Sequence, residues 1–116
     1  MTEEQAIKST VLDYFEGWFD GDAGRMERAL HPQLAKRSPQ ADGTLEDDTA
    51  ETMIEATKAG QGTRHPPEKR GFDVDVKEIH GPIASVVVHS QIYREYLHLA
   101  RTDDGWKIVN ALWDEA

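Results

Sequence analysis

Apolar positions near the amino terminus repeat at helical spacing. Ile7, Val11, Tyr14 and Trp18 follow one another at intervals of four, three and four residues, which places their side chains on one face of an α-helix. Two phenylalanines widen that face. The pattern therefore predicts a first helix with a broad, aromatic-rich inner surface.

Polar and glycine positions mark the ends of this helix. Thr2 followed three residues later by Gln5 is a capping-box pattern, and the acidic residues between them suit a helix amino terminus. Gly21 is the expected end of the helix, because glycine readily adopts the left-handed conformation that closes one.

Two shorter helices are predicted downstream. Asp22 can cap a second helix that ends at Pro32, since proline cannot continue a helix. Asp48 or Thr49 can cap a third helix, with Gly60 as its end.

Beyond residue 70 the apolar positions change to a period of two, which is typical of β-strands. Short strands are also predicted at 34–37 and 44–46, and 61–71 is predicted to be a loop that could cover the mouth of a cavity. The four later strands are predicted at 72–79, 84–90, 96–102 and 106–113. Helices followed by an antiparallel meander predict an α+β fold with helices covering one face of a sheet.

The segment TDDG between the last two strands sets their expected register. A three-residue loop with Gly105 in the left-handed conformation pairs Thr102 with Trp106. The resulting cross-strand pairs are Ala100–Ile108, His98–Asn110, Tyr96–Leu112, Leu99–Val109 and Leu97–Ala111.

This register gathers hydrogen-bonding side chains on one face of the sheet. Tyr96, His98 and Asn110 would face the first helix, where Tyr14 and Trp18 could complete a mostly apolar cavity. His31 is open to two interpretations, a role at a helix end or a contact in the cavity. The predicted ligand-binding residues are Tyr14, Trp18, His31, Tyr96, His98, Asn110 and Leu112.

The opposite face of the same strands is nearly all apolar. An apolar outer face of this extent favours association, so the sequence predicts a homodimer through the back of the sheet. The residues expected at that interface are Leu97, Leu99, Val109, Ala111 and Trp113.

Composition narrows the classes of function. The 116 residues suit one domain, 1–116, and carry a net charge of −9, which disfavours nucleic acid and anionic membranes as partners. There is no cysteine, which excludes disulfides, and no basic leader or long apolar run, so we expect a cytoplasmic protein. The chain contains no HxH or HExxH motif, and neither a metal nor a cofactor is expected.

Three stretches resemble a known family. YFEGWFDGDAGRMERALHPQLAKRS, IASVVVHS and YLHLARTDDGWKIVNALW are similar to the nuclear transport factor 2-like superfamily, in particular its putative lumazine-binding branch near the SnoaL-like proteins. The resemblance implies a cone-shaped α+β barrel (cystatin-like), with helices packed on a curved antiparallel sheet around a deep pocket, and a dimeric assembly.

Ketosteroid isomerase belongs to the same superfamily and uses a tyrosine and a protonated aspartate opposite an aspartate base. The resemblance places Tyr14 at the tyrosine position, Ser38 at the position of the base and His98 at that of the acidic partner. Both aspartates are therefore missing, and a serine cannot abstract the proton unaided.

Three functions remain open on this basis. The first is binding of a small aromatic or heterocyclic molecule without turnover. The second is cofactor-independent acid/base catalysis, such as dehydration or isomerisation, with His98 as proton carrier and Tyr14 as electrophile. The third is an assembly module that uses the face containing Trp113.

Overall fold

Three helices and six strands form the fold in a computed structural model that describes all 116 residues, Met1–Ala116. The helices are α1 (Glu3–Asp20), α2 (Ala23–Ala29) and α3 (Ala50–Lys58). The strands are β1 (Leu30–Pro39), β2 (Leu45–Asp48), β3 (Phe72–His80), β4 (Ile83–Ser90), β5 (Tyr93–Thr102) and β6 (Gly105–Glu115). Two short 3-10 helices, Gln61–Arg64 and Pro67–Lys69, connect α3 to β3.

The predicted ends of α1 are confirmed. The hydroxyl of Thr2 accepts a hydrogen bond from the backbone N–H of Gln5 at 3.1 Å, and the Gln5 side chain accepts one from the Thr2 N–H at 2.8 Å. Gly21 ends the helix with a φ of 67°. These contacts satisfy backbone groups that have no partner within the helix.

The predicted end of the second helix at Pro32 is wrong. Helix α2 already ends at Ala29, and Pro32 lies inside β1, which starts at Leu30. The pairing of β1 with β6 is irregular between Leu30 and Ala35. Because proline has no backbone N–H to donate to a neighbouring strand, β1 can accommodate Pro32 at this interruption of its pairing with β6.

The strands form one mixed sheet in the order β2-β1-β6-β5-β4-β3. Strands β3 to β6 form the predicted antiparallel meander, but β1 runs parallel to β6, so a wholly antiparallel sheet is corrected to a mixed one. A parallel pair needs a long crossover, and the segment from β2 to β5 provides it. The sheet curves beneath the helices and does not close into a barrel.

The last hairpin differs from the prediction near its turn and agrees with it farther away. Thr102 pairs with Gly105 rather than with Trp106, and a bulge between His98 and Leu99 then shifts the register by one residue. The predicted pairs Ala100–Ile108 and Leu99–Val109 are therefore wrong. The predicted pairs His98–Asn110, Tyr96–Leu112 and Leu97–Ala111 are confirmed.

The two faces of this hairpin are the reverse of the prediction. Leu97, Leu99 and Ala111 face the helices and are each 1% exposed, whereas Tyr96 is 50% and Leu112 46% exposed. Burying the apolar face removes more apolar surface from water, and burying the polar one would leave hydrogen-bonding groups to be satisfied. The inner face of the sheet and the inner sides of α1 and α2 share one buried apolar cluster.

This reversal also corrects the predicted dimer interface. Leu97, Leu99 and Ala111 lie in the core and cannot contact a second chain, while Val109 and Trp113 are half-buried. The outer face carries a different row of aliphatic and aromatic side chains, in which Val87, Tyr96 and Leu112 are neighbours across three strands.

Candidate functional site

A cavity of about 770 Å³ lies between α1, α3 and the inner face of the sheet. Helix α1 contributes aromatic side chains to its wall, α3 contributes small and acidic ones, and strands β1, β2, β5 and β6 contribute one or two residues each. The volume lies within the range of small-molecule sites.

Three polar side chains form a buried hydrogen-bonded chain on the cavity wall. The Tyr14 hydroxyl donates to Glu95 Oε1 at 2.7 Å and accepts a hydrogen bond from Lys36 Nζ. The ammonium of Lys36 lies 3.8 Å from Glu95 Oε1. Tyr14 is 2% exposed, Lys36 6% and Glu95 3%. An ion pair is therefore held in the interior with a tyrosine hydroxyl between its charges.

Strand alternation explains how charged residues come to lie there. Glu95 shares the inward phase of β5 with Leu97 and Leu99, and Lys36 shares the inward phase of β1 with Ser38. Two strands thus direct opposite charges toward the Tyr14 position of α1. The charges offset each other, which reduces the cost of removing both from water.

The environment of Tyr14 keeps its hydroxyl protonated. Burial raises the pKa of Tyr14 well above its ordinary value, and the negative charge of Glu95 together with its hydrogen bond raises that pKa further. The hydroxyl can consequently donate to one neighbour and accept from the other at the same time.

Aromatic rings form another part of the wall. Trp18 Nε1 donates to the Tyr93 hydroxyl at 3.1 Å, and His65 Nε2 lies 3.1 Å from the same hydroxyl. The rings of Tyr93 and Trp113 meet edge to face with centroids 5.6 Å apart. Lys36 Nζ lies 5.4 Å from the centroid of the Trp113 ring, within the range of a cation–π interaction.

The rim of the cavity is acidic. Glu46, Asp48, Glu51 and Glu55 line it, and none of them takes part in an ion pair. Because Lys36 and Glu95 offset each other, the lining as a whole carries excess negative charge. This arrangement favours neutral or cationic ligands over anions.

The structure brings two of the predicted ligand-binding residues, Tyr14 and Trp18, to the cavity. His31 does not reach it: the residue lies in β1, and its Nδ1 accepts a hydrogen bond from the Gln33 N–H at 3.0 Å. The other four predicted residues lie on the outer face of the sheet, namely Tyr96, His98, Asn110 and Leu112.

The predicted pairing of His98 with Tyr14 in one catalytic site is therefore wrong. The two side chains lie on opposite faces of the sheet, and His98 is exposed next to Asn110, whose Nδ2 is 3.3 Å from His98 Nδ1. The cause is the reversed hairpin faces described above. One substrate cannot contact both residues.

Sequence reasoning missed Lys36 and Glu95. Each carried a recognisable signal, a charged residue in phase with the buried positions of a strand, as Glu95 is with Leu97 and Leu99. One basic and one acidic residue of this kind, on different strands, indicate a buried pair.

No three His, Asp or Glu side chains come together in a way that could hold a metal ion. None of the helices combines the length and the apolar character that a membrane-crossing helix needs.

Comparisons with known proteins agree on the fold. The model of the family described as "Putative lumazine-binding" matches residues 2–114, and no curated protein matches the sequence. An NTF-2-like protein of unknown function from Silicibacter pomeroyi is 18% identical, with a TM-score of 0.79 and 100% of both chains covered. An NTF2-like protein from Cytophaga hutchinsonii is 20% identical, with a TM-score of 0.73 and 100% of both chains covered. The CaMKII hub of S. rosetta is 15% identical over 97% of this chain and 95% of its own, with a TM-score of 0.64.

Proposed function

Because the chain belongs to the putative lumazine-binding family of the nuclear transport factor 2-like superfamily, we propose that it binds a small molecule in the cavity between α1 and α3. The observation that carries this proposal is the buried chain of Lys36, Tyr14 and Glu95 on the cavity wall. Buried charges are costly for stability, and their clustering at a concave surface is typical of functional sites.

The lining supports an aromatic or heterocyclic ligand. Trp18, Tyr93 and Trp113 offer flat apolar surfaces, which suit an aromatic or heterocyclic ring. Lys36 can donate to a carbonyl or ring nitrogen of the ligand, and Glu95 can accept from an N–H or O–H. The acidic rim favours a neutral or cationic molecule.

Filling the cavity tests this function. A panel of planar probes that includes lumazine and quinoline is titrated by calorimetry against the wild type and Ala56→Leu, whose larger side chain would occupy the cavity from α3. The matched control is Ala23→Leu, a half-buried helical alanine of α2 outside the cavity. We expect Ala56→Leu to weaken binding about tenfold or more and the control to leave it unchanged. Equal binding by both variants would place the ligand elsewhere.

A second candidate function is proton-transfer catalysis without a cofactor. It is favoured by the 2.7 Å hydrogen bond from Tyr14 to Glu95, which gives the cavity a donor and an acceptor in direct contact. In this candidate function Glu95 is the proton carrier, the role that the sequence analysis gave to His98. Tyr14→Phe keeps the shape of the site, so it should retain binding and abolish turnover; unchanged turnover of a substrate would reject this candidate.

The homodimer stays part of the proposal, with a corrected interface. Ile83, Val87 and Leu112 are apolar side chains on the outer face, Tyr96 adds an aromatic ring beside them, and Ile83 is 56% exposed. We expect Tyr96→Glu to convert a dimer into a monomer in sedimentation velocity, because a charge would be buried at the interface.

We further propose that residues 1–116 act as one domain in the cytoplasm, without nucleic acid or membrane partners. The net charge of −9 supports the absence of these partners.

A further inference from the structure

Lys36 holds the only amine that lines the cavity. The chain has six lysines, and the other five, Lys8, Lys58, Lys69, Lys77 and Lys107, are exposed or half-exposed and lie outside it. Lys36 is 6% exposed and uses one of its three donors, in the hydrogen bond to Tyr14. It lies too far from Glu95, at 3.8 Å, for a direct hydrogen bond.

The Tyr14 hydroxyl connects this amine to a proton acceptor. Lys36 Nζ donates to the hydroxyl oxygen, and the hydroxyl hydrogen points to Glu95 Oε1 at 2.7 Å. If a proton moves from Lys36 to Tyr14 while Tyr14 passes its own to Glu95, the result is a neutral amine, an unchanged tyrosine and a protonated carboxyl group. A neutral amine is a nucleophile, whereas an ammonium is not.

We propose that Lys36 forms a reversible imine with an aldehyde or ketone group of the bound aromatic ligand. This inference rests on the proposed binding function and names the chemical class of the ligand. The aromatic rings beside Lys36 would hold the ring of the ligand, with the carbonyl carbon at Nζ.

The chemistry balances without any further reactant. The Nζ lone pair forms a bond to the carbonyl carbon, and the carbonyl oxygen takes a proton from Glu95 through Tyr14, which gives a carbinolamine that is still protonated on nitrogen. The nitrogen then gives up one of its protons along the same path to Glu95. Loss of the hydroxyl group, protonated from Glu95, yields the protonated imine and one water molecule and leaves Glu95 ionised again. Hydrolysis runs through the same steps in reverse.

Reductive trapping tests the proposal on the wild-type protein. The probe is 2-naphthaldehyde with sodium cyanoborohydride, which reduces an imine to a stable secondary amine, and the site of labelling is read by peptide mass mapping. The matching alcohol, 2-naphthalenemethanol, cannot form an imine, and its binding measured by calorimetry reports occupancy of the cavity alone. We expect label on Lys36 in preference to the other five lysines, which act as internal controls.

Two variants examine the proton path. Lys36→Arg keeps the positive charge but should lose the label at position 36. Tyr14→Phe interrupts the path between Lys36 and Glu95, and should slow trapping at Lys36 on the order of 100-fold, as expected for loss of general acid/base assistance. Circular dichroism establishes that each variant is folded, and the wild-type result stands without them.

The possible outcomes distinguish failure of the imine proposal from failure of the proposed binding function. Binding of the alcohol with label spread over the exposed lysines overturns the imine and leaves the binding function in place. Failure of the alcohol to bind, with no preference for Lys36, overturns both. Preferential label on Lys36 that Tyr14→Phe does not slow would contradict the proton path through the tyrosine.

Discussion

At the scale of single residues, the central feature is an ion pair held apart by a tyrosine. Lys36 and Glu95 are each almost fully buried, and Tyr14 hydrogen-bonds to both. The sequence allowed Tyr14 to be predicted as a cavity residue from its place on an apolar helix face. Its two partners were missed, because their phase along β1 and β5 indicates burial only once the inward-facing side of each strand is known, and that side depends on packing between distant segments.

The first prediction concerns the stability of this pair. Glu95→Gln leaves the Lys36 charge buried without its partner and should lower the free energy of unfolding by about 3 kcal/mol. The double variant Lys36→Met/Glu95→Gln removes both charges and should lose less than the sum of the two single variants. Urea unfolding of all four proteins measures this, and strictly additive losses would mean that the two charges do not interact.

A second prediction concerns acid stability. Partial burial pushes the pKa of Asp13 upward, but hydrogen bonds from Arg28 and Arg25, both at 3.0 Å, outweigh it and hold that pKa below its ordinary value of 3.8. A carboxyl group whose pKa is lowered by folding stabilises the folded protein at pH values above 3.8. This contribution is lost as the pH falls through the pKa of Asp13 in the folded protein.

Asp13→Asn should therefore have a lower free energy of unfolding than the wild type at pH 7. This difference in stability, called the gap below, should shrink as the pH falls below about 4. Urea unfolding across a pH series measures the gap. Asp103→Asn is the control, because Asp103 lies exposed in the β5–β6 turn and forms no ion pair, so its gap should stay small throughout. A gap for Asp13→Asn that does not change with pH would contradict the assignment.

At the scale of elements, sequence patterns were most informative where local contacts decide the structure. The ends of α1 depend on Thr2, Gln5 and Gly21 alone, and all were predicted. The last hairpin shows the limit of such reasoning. Its strands were predicted, but the turn closes at Gly105 and a bulge follows at His98, and a polar–apolar pattern alone does not specify a bulge.

The connection from α3 to β3 gives a third prediction. A Cβ atom added to Gly62 would lie 2.2 Å from the backbone oxygen of Trp18 and 2.7 Å from its ring, so the first 3-10 helix packs against α1 without spare room. Gly62→Ala should lower the free energy of unfolding by about 2 to 3 kcal/mol and weaken ligand binding, because neighbouring Gln61 lines the cavity.

Gly71→Ala is the matched control for this substitution. Nothing lies within 4 Å of a Cβ added at Gly71, so the change in stability should stay within about 0.5 kcal/mol. Chemical denaturation compares the two variants. Equal effects would show that the contact between Gly62 and Trp18 contributes nothing to the packing of the connection.

At the scale of the whole molecule, the order of helices and strands was enough to predict the α+β class, whereas the superfamily was predicted from the resemblance of three stretches of the sequence. The mixed sheet was not predicted, since the pairing of β1 with β6 joins segments about 75 residues apart in sequence and only the folded chain reveals it. The same limit applied to the cavity: its existence was predicted, but the reversed hairpin faces moved most of the expected lining to the outside. The cavity that results is lined by residues from both halves of the chain.

The most direct test of the account is native mass spectrometry of the protein purified from its own host, under gentle and then denaturing conditions. Occupancy of the cavity by a small molecule is the central claim. We expect a bound small molecule that is released on denaturation and is absent or much reduced in Ala56→Leu. A protein that carries no small molecule from its host, and acquires none when incubated with the planar probes, would contradict the claim.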